Sequence, residues 1–208
     1  MDGKFITVEG IDGAGKSTQL AFIGDWLKKQ GINVMLTHEP GGTPLGGALR
    51  DILLGDNRIT PEAETLLMFA SRHQLVEDVI RPVLAAGDWV VSDRFTDSTF
   101  AYQGGGRCVY RGWIHNLSLD IEQEIKPDLT LLLDVNPLIT FTRKEERGLD
   151  RFEKESLDFY YRVREAYLKR AKEYPSRIKV IDASRGQGYV QESIEEMLVT
   201  FLSRHLNN

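Results

Sequence analysis

The chain has 208 residues, enough for one domain that buries roughly 70% of the surface its unfolded form exposes. Its net charge of −5 and pI near 5.5 argue against a duplex-binding face and leave room for local basic pockets that hold small anions. A single cysteine, Cys108, excludes an intrachain disulfide, four scattered histidines form no metal motif, and no apolar run approaches the roughly 18 residues that span a bilayer.

In chain order, the first expected element is a strand over 4–9, reached without a basic leader or an apolar segment of signal length. A cytoplasmic protein with no membrane or nucleic-acid partner is therefore expected. Directly after the strand, Gly10-Ile11-Asp12-Gly13-Ala14-Gly15-Lys16-Ser17-Thr18 fits G-x-x-x-x-G-K-[ST]. Glycines let successive backbone N–H groups turn inward, Lys16 reaches β- and γ-phosphates, and Ser17 suits Mg²⁺ at a helix N-terminus whose dipole favours anions. The bland alternative is a glycine turn between strand and helix. That helix should begin at Ser17 or Thr18 and run to about Gln30, with Leu20, Ile23 and Leu27 on one face and Gly31 ending it.

Further strands are expected near 33–37, 89–92, 129–134 and 178–182, with helices over 44–54, 61–86, 112–125, 137–144, 154–173 and 189–206. Pro82 should bend or split the 61–86 helix. Val190, Ile194, Met197, Leu198, Phe201 and Leu202 repeat at helical spacing and read as core. Glu39-Pro40-Gly41-Gly42-Thr43-Pro44 and Ala101-Tyr102-Gln103-Gly104-Gly105-Gly106-Arg107 are turn-rich and read as loops, with binding or bland connection both open. The alternation of elements predicts an α/β fold: a five-stranded parallel sheet with helices on both faces, as one P-loop domain over 1–208.

Asp93-Arg94-Phe95 follows the third strand, where a doubly wound sheet binds ligands. There Arg94 can meet a phosphate while Asp93 holds Mg²⁺ through water. Arg143, Arg147 and Arg151 recur every four residues, so a helical stretch would bring them to one face as a short arginine-rich lid over about 142–153, closing on ATP. The alternative is a solvated helix paired through Glu145 and Glu146. A phosphate loop does not by itself separate kinases from motors, switch GTPases or transporter ATPases, but no N-K-x-D guanine-reading string occurs, which favours a small phosphotransferase.

Together these motifs resemble the bacterial thymidylate kinase family over essentially the whole length. The resemblance rests on F-I-T-V-E-G-x-D-G-A-G-K-S-T at 5–18, E-P-G-G-T-P-L-G at 39–46, D-R-F-x-D-S-x-x-A-Y-Q-G-G-G-R at 93–107, P-D-L-T-L-L-L-D at 127–134 and R-G-x-D-R-F-E at 147–153. It implies a P-loop NTPase fold, Mg-ATP as donor, dTMP as acceptor and a homodimer. It implies that Gly10 to Thr18 bind ATP, that Asp12 contacts the dTMP 3′-hydroxyl and Arg94, and that Arg50 and Arg94 hold the dTMP phosphate. Glu39 and Pro40 would border dTMP; Arg72 would bond the thymine edge with help from Thr99 and Gln103; Tyr102 would pack under the sugar, with Ser98 behind it.

The family divides by whether its catalytic arginine sits in the phosphate loop or in the lid. Gly13 after Asp12 and the arginine-rich lid resemble the second type, with Arg147 or Arg151 on the transferring charge and Arg143 stacking on adenine. The family's thymine-stacking phenylalanine usually lies four residues before the base-reading arginine, yet here that position is Met68, and Phe69 is three before Arg72. The resemblance assigns the stack to Phe69, with Met68 the alternative. Rival readings are a kinase of the same architecture with another nucleotide acceptor, and a nucleotide-binding regulatory protein that hydrolyses ATP slowly.

Overall fold

A computed structural model describes residues 3–56, 58–122, 125–142 and 150–205. Five strands, β1 (Phe5–Glu9), β2 (Val34–His38), β3 (Trp89–Asp93), β4 (Leu129–Asp134) and β5 (Ile178–Asp182), form one parallel sheet in the order β2-β3-β1-β4-β5. β1 is central and wholly buried, registered with β3 as Val8↔Asp93 and with β4 as Glu9↔Leu132. Its side chains alternate as the pleat requires. Ile6 joins Val91, Ile23, Leu27, Ile194 and Leu198 in one apolar cluster, and Phe5 joins Val90, Leu75, Val76 and Ile80 in another.

The helices are α1 (Lys16–Lys29), α2 (Pro44–Leu54), α3 (Pro61–Leu75), α4 (Arg81–Ala85), α5 (Thr96–Thr99), α6 (Arg111–Glu122), α7 (Pro137–Thr142), α8 (Leu157–Glu173) and α9 (Gln187–His205). Their ends follow from local chemistry. α1 stops at Gly31, which takes φ 77° while its N–H and that of Ile32 return to Lys28 and Leu27, a left-handed cap that glycine adopts without strain. α2 and α3 each begin with threonine then proline: the Thr43 and Thr60 hydroxyls accept from the N–H groups of Gly46 and Ala63, at about 1 kcal/mol per cap.

Two helical stretches carry π-helical turns. The 61–86 helix is divided just before Pro82. A π-helical turn, Val76–Ile80, joins α3 to α4, and the Arg81 N–H reaches back to Val76, so the wide turn absorbs the clash that a proline makes with the preceding helical turn. Of Ala101–Arg107, read as a loop, all but Arg107 is helical. α5 continues into a π-helical segment, Phe100–Gly106, whose glycines serve packing against α8. A Cβ on Gly105 would stand 2.6 Å from the Ala166 Cβ, and one on Gly106 would stand 2.4 Å from the Phe159 ring. α8 also starts later than expected, because Ser156 caps it and the Asp150 carboxylate accepts from the N–H groups of Phe152 and Glu153, folding 151–154 into turns.

Candidate active site

At the carboxyl end of β1 the chain enters the phosphate loop. Gly10 has φ 146° and lies where a Cβ would meet the Leu133 carbonyl at 2.6 Å, so only glycine fits this exit. Lys16 opens α1, and its ammonium donates to the Ile11 carbonyl at 3.0 Å. Burial, reinforced by the positive charge of Arg94, lowers its pKa to about 8. Ser17 and Thr18 are exposed at the same helix end. Asp93, at the end of β3, keeps a buried Oδ1 with no hydrogen-bond partner among the described residues. The hydroxyl of Ser17 and this carboxylate suit a hydrated cation bound with a triphosphate.

Beside the loop, Arg94 sits at φ 74° in the left-handed region. Its guanidinium donates to the Gly10 carbonyl at 2.9 Å, to Ser98 and the Tyr167 hydroxyl at 3.2 Å each, and to the Tyr102 hydroxyl at 3.0 Å, and it ion-pairs with Asp12. Burial opposes its charge, but Tyr102 and Asp12 outweigh burial and raise its pKa well above the ordinary arginine value. Tyr102 donates to Asp12 at 2.9 Å, and the Tyr160 hydroxyl lies 3.1 Å from the same oxygen. Beneath Arg94, the buried Glu9 accepts from the Phe95 N–H at 2.8 Å, from Ser98 at 2.6 Å and from Tyr167 at 2.9 Å. Burial first, then Asp97, raises the Glu9 pKa to about 7.

An open cleft extends from this cluster. Asp12, Arg94, Ser98 and Tyr102 line it beside the phosphate loop, and Arg50, donating to the Pro40 carbonyl at 3.0 Å, adds a second guanidinium. Glu39, Pro40, Arg72, Thr99 and Gln103 also line it. Arg72 is 2% exposed. It donates to Glu39 at 2.7 and 2.9 Å and to Thr99 at 3.0 Å, lies 3.7 Å from Glu122, and covers the rings of Phe69 and Phe95 at 4.9 and 5.1 Å. Arg72 Nη1, the nitrogen that faces Glu122, and Glu39 Oε1 are buried without hydrogen-bond partners among the described residues.

Phe69 does not reach the cleft. It is 0% exposed and packs with Phe100, Val109 and Ile114 under the π-helical segment, while Met68, one helical step on, lines the cleft. The α3 surface facing the ligand is thus carried by Met68 and Arg72, four residues apart, and Phe69 supports Arg72 from below.

Of the expected lid arginines, Arg143 and Arg147 lie outside the described residues. Arg151 belongs to no helical stripe. It sits in the turns before α8, donates to the Leu53 carbonyl at 2.8 Å and ion-pairs with the buried Glu64 at 2.7 Å. Sequence reasoning gave no role to Glu9, Glu64, Tyr160 or Tyr167. Glu9 stands inside the first motif, and Tyr160 and Tyr167 are seven residues apart on one face of α8, the only local signal that they share a target.

A parallel sheet with a phosphate loop at its carboxyl edge, facing an arginine-lined cleft beside the same loop, defines the class of P-loop phosphotransferases. The family model for thymidylate kinase matches residues 8–194. The thymidylate kinase of Nitrosospira multiformis is 55% identical over 203 residues, covering 96% of this chain and 98% of that one, and that of Chromobacterium violaceum is 52% identical over 204 residues, covering 97% and 96%. The crystal structure of thymidylate kinase from Ehrlichia chaffeensis superposes with a TM-score of 0.79 at 33% identity, covering 95% of this chain and 99% of that one. The chain belongs to the thymidylate kinase family and has the P-loop NTPase fold.

Proposed function

We propose that the protein phosphorylates dTMP to dTDP with ATP. The observation that carries this reading is one cleft lined by two unlike groups of side chains. Arg94, beside the phosphate loop, and Arg50 suit an acceptor phosphate, and Arg72, Thr99 and Gln103 suit the polar edge of a base. On this reading Tyr102 lies beneath the sugar. Asp12, already paired to Arg94, suits the sugar 3′-hydroxyl.

In the reaction a dTMP phosphate oxygen forms a bond to the γ-phosphorus as the bond from that phosphorus to the β–γ bridging oxygen breaks, and ADP departs with the electron pair. The acceptor phosphate is already an anion, so no general base is required. The loop N–H groups and Lys16 cradle the triphosphate, and Arg94 holds the attacking phosphate in line. Ser17, and Asp93 through water, would hold Mg²⁺, which supplies charge neutralisation on the phosphates. The lid over about 142–153 would exclude water, with Arg147 or Arg151 on the transferring charge and Arg143 stacking on adenine. The same reading carries a homodimeric, cytoplasmic enzyme.

The test is ADP release with Mg-ATP and a panel of dTMP, dUMP, dCMP, CMP, UMP, AMP, GMP and thymidine. Turnover with dTMP well above every other acceptor is the expected result. Preference for another acceptor would keep the phosphate loop and overturn the base assignment.

A further inference from the structure

Glu64 lies on α3, 0% exposed, and receives three side chains. Gln103 Nε2 donates to its Oε1 at 2.7 Å, Arg107 Nε lies 3.4 and 3.3 Å from its two oxygens, and Arg151 ion-pairs with Oε2 at 2.7 Å. A carboxylate flanked by two guanidinium groups accepts hydrogen bonds and donates none. An amide side chain has one donating and one accepting end, so whichever end meets Glu64 decides what the other offers. Gln103 is 1% exposed and lines the cleft, and its Oε1 has no partner among the described residues.

We propose that Glu64 is a positioning residue for acceptor choice: it takes the Gln103 N–H₂ and so leaves the Gln103 carbonyl oxygen to accept from a pyrimidine ring N3–H. This rests on the reading of the cleft as a nucleoside monophosphate site. Thymine and uracil carry a hydrogen on N3, whereas cytosine presents a lone pair there and would face an acceptor. Arg107 and Arg151 do not touch the cleft through this carboxylate; they hold it in place. The selectivity of Gln103 therefore originates in a residue one layer behind it.

Glutamine at position 64 can offer either end of its amide to Gln103 and releases that constraint. Glu64→Gln should lower kcat/KM for dTMP roughly tenfold, the scale of one hydrogen bond, mostly through KM, and narrow the preference for dTMP over dCMP. KM for ATP should stay within about twofold. In a Gln103→Ala background the same substitution should change kcat/KM for dTMP by less than about twofold, because the residue through which it acts is gone. Additive losses, or an equal rise in both KM values, would overturn the proposal. An independent measurement needs no change at Glu64. In the ¹⁵N-labelled wild type, the Gln103 side-chain N–H₂ signals, assigned by their loss in Gln103→Ala, should exchange slowly with solvent both with and without dTMP. Fast exchange in the free protein, with protection only when dTMP binds, would show the N–H₂ facing the cleft and overturn it. A wild type that does not use dTMP overturns the reaction reading, and this proposal with it; dTMP turnover with additive losses overturns this proposal alone.

Discussion

Arg94 and Asp12 ion-pair across two adjacent strands, tying the turn after β3 to the phosphate loop after β1. Arg94 holds this position at φ 74°, a conformation that costs a non-glycine residue about 1–2 kcal/mol. Five hydrogen-bonding groups on four segments over-determine it: the Gly10 carbonyl, Asp12, Ser98, Tyr102 and Tyr167. A guanidinium fixed before its ligand arrives loses little entropy when an acceptor phosphate binds.

Arg94→Ala should therefore abolish productive use of dTMP, lowering kcat/KM by about a thousandfold or more, the scale for a lost charge-stabilising donor. KM for ATP should change far less. Steady-state kinetics with each substrate varied in turn checks this, and unchanged dTMP kinetics would remove Arg94 from the site.

Lys16→Ala should lower kcat by orders of magnitude, since the phosphate loop then lacks its one side-chain cation aimed at the transferred group. The free enzyme supplies a second, separate signature. With a pKa lowered to about 8 by burial and Arg94, Lys16 loses its proton as pH rises through 8, and a bound triphosphate must recover it. The Kd for ATP should rise above pH 8 in the wild type, and that rise should vanish in Lys16→Ala. Calorimetric titration across pH 7 to 9 measures both.

The features legible in the sequence are those written in neighbouring residues. The five strands, the glycine spacing of the phosphate loop and the Thr-Pro starts of α2 and α3 each carry their signal within a few positions. Where reading failed, the deciding partner lay far along the chain. Gly105 and Gly106 look like a turn, and only the approach of α8, with Phe159 and Ala166, shows that they are packing positions in a helical segment. Glu9, Glu64 and Tyr167 act through contacts to residues 39 to 158 positions away. The choice between Met68 and Phe69 turned on a rotation of one residue about α3, which the helical period leaves open when both neighbours are apolar.

That rotation predicts opposite consequences for two adjacent substitutions. Phe69→Ala removes a wholly buried ring under Arg72 and should cost about 3–5 kcal/mol of stability. Met68→Ala removes part of the cleft wall and should cost about 1 kcal/mol or less, with a severalfold rise in KM for dTMP. Thermal melts and acceptor kinetics on the pair decide it. A stable Phe69→Ala protein with a large dTMP defect would return the stacking role to Phe69.

Glu122 gives the protein a pH dependence with a definite sign. Burial raises its carboxyl from 4.5 to about 7, against the pull of Arg72 and the Thr96 hydroxyl, so between these values the folded chain binds more protons there than the unfolded chain. Stability from this group is therefore fully present below about pH 4.5 and falls as pH rises to about 7, by an amount on the order of 3 kcal/mol over the window. Glu122→Gln keeps the shape and removes the titration. Measured by urea unfolding, its stability relative to the wild type should improve steadily from pH 5 to pH 7 and level off above. A difference that stays constant with pH would show that Glu122 ionises alike in both states, and the burial argument for it would fail.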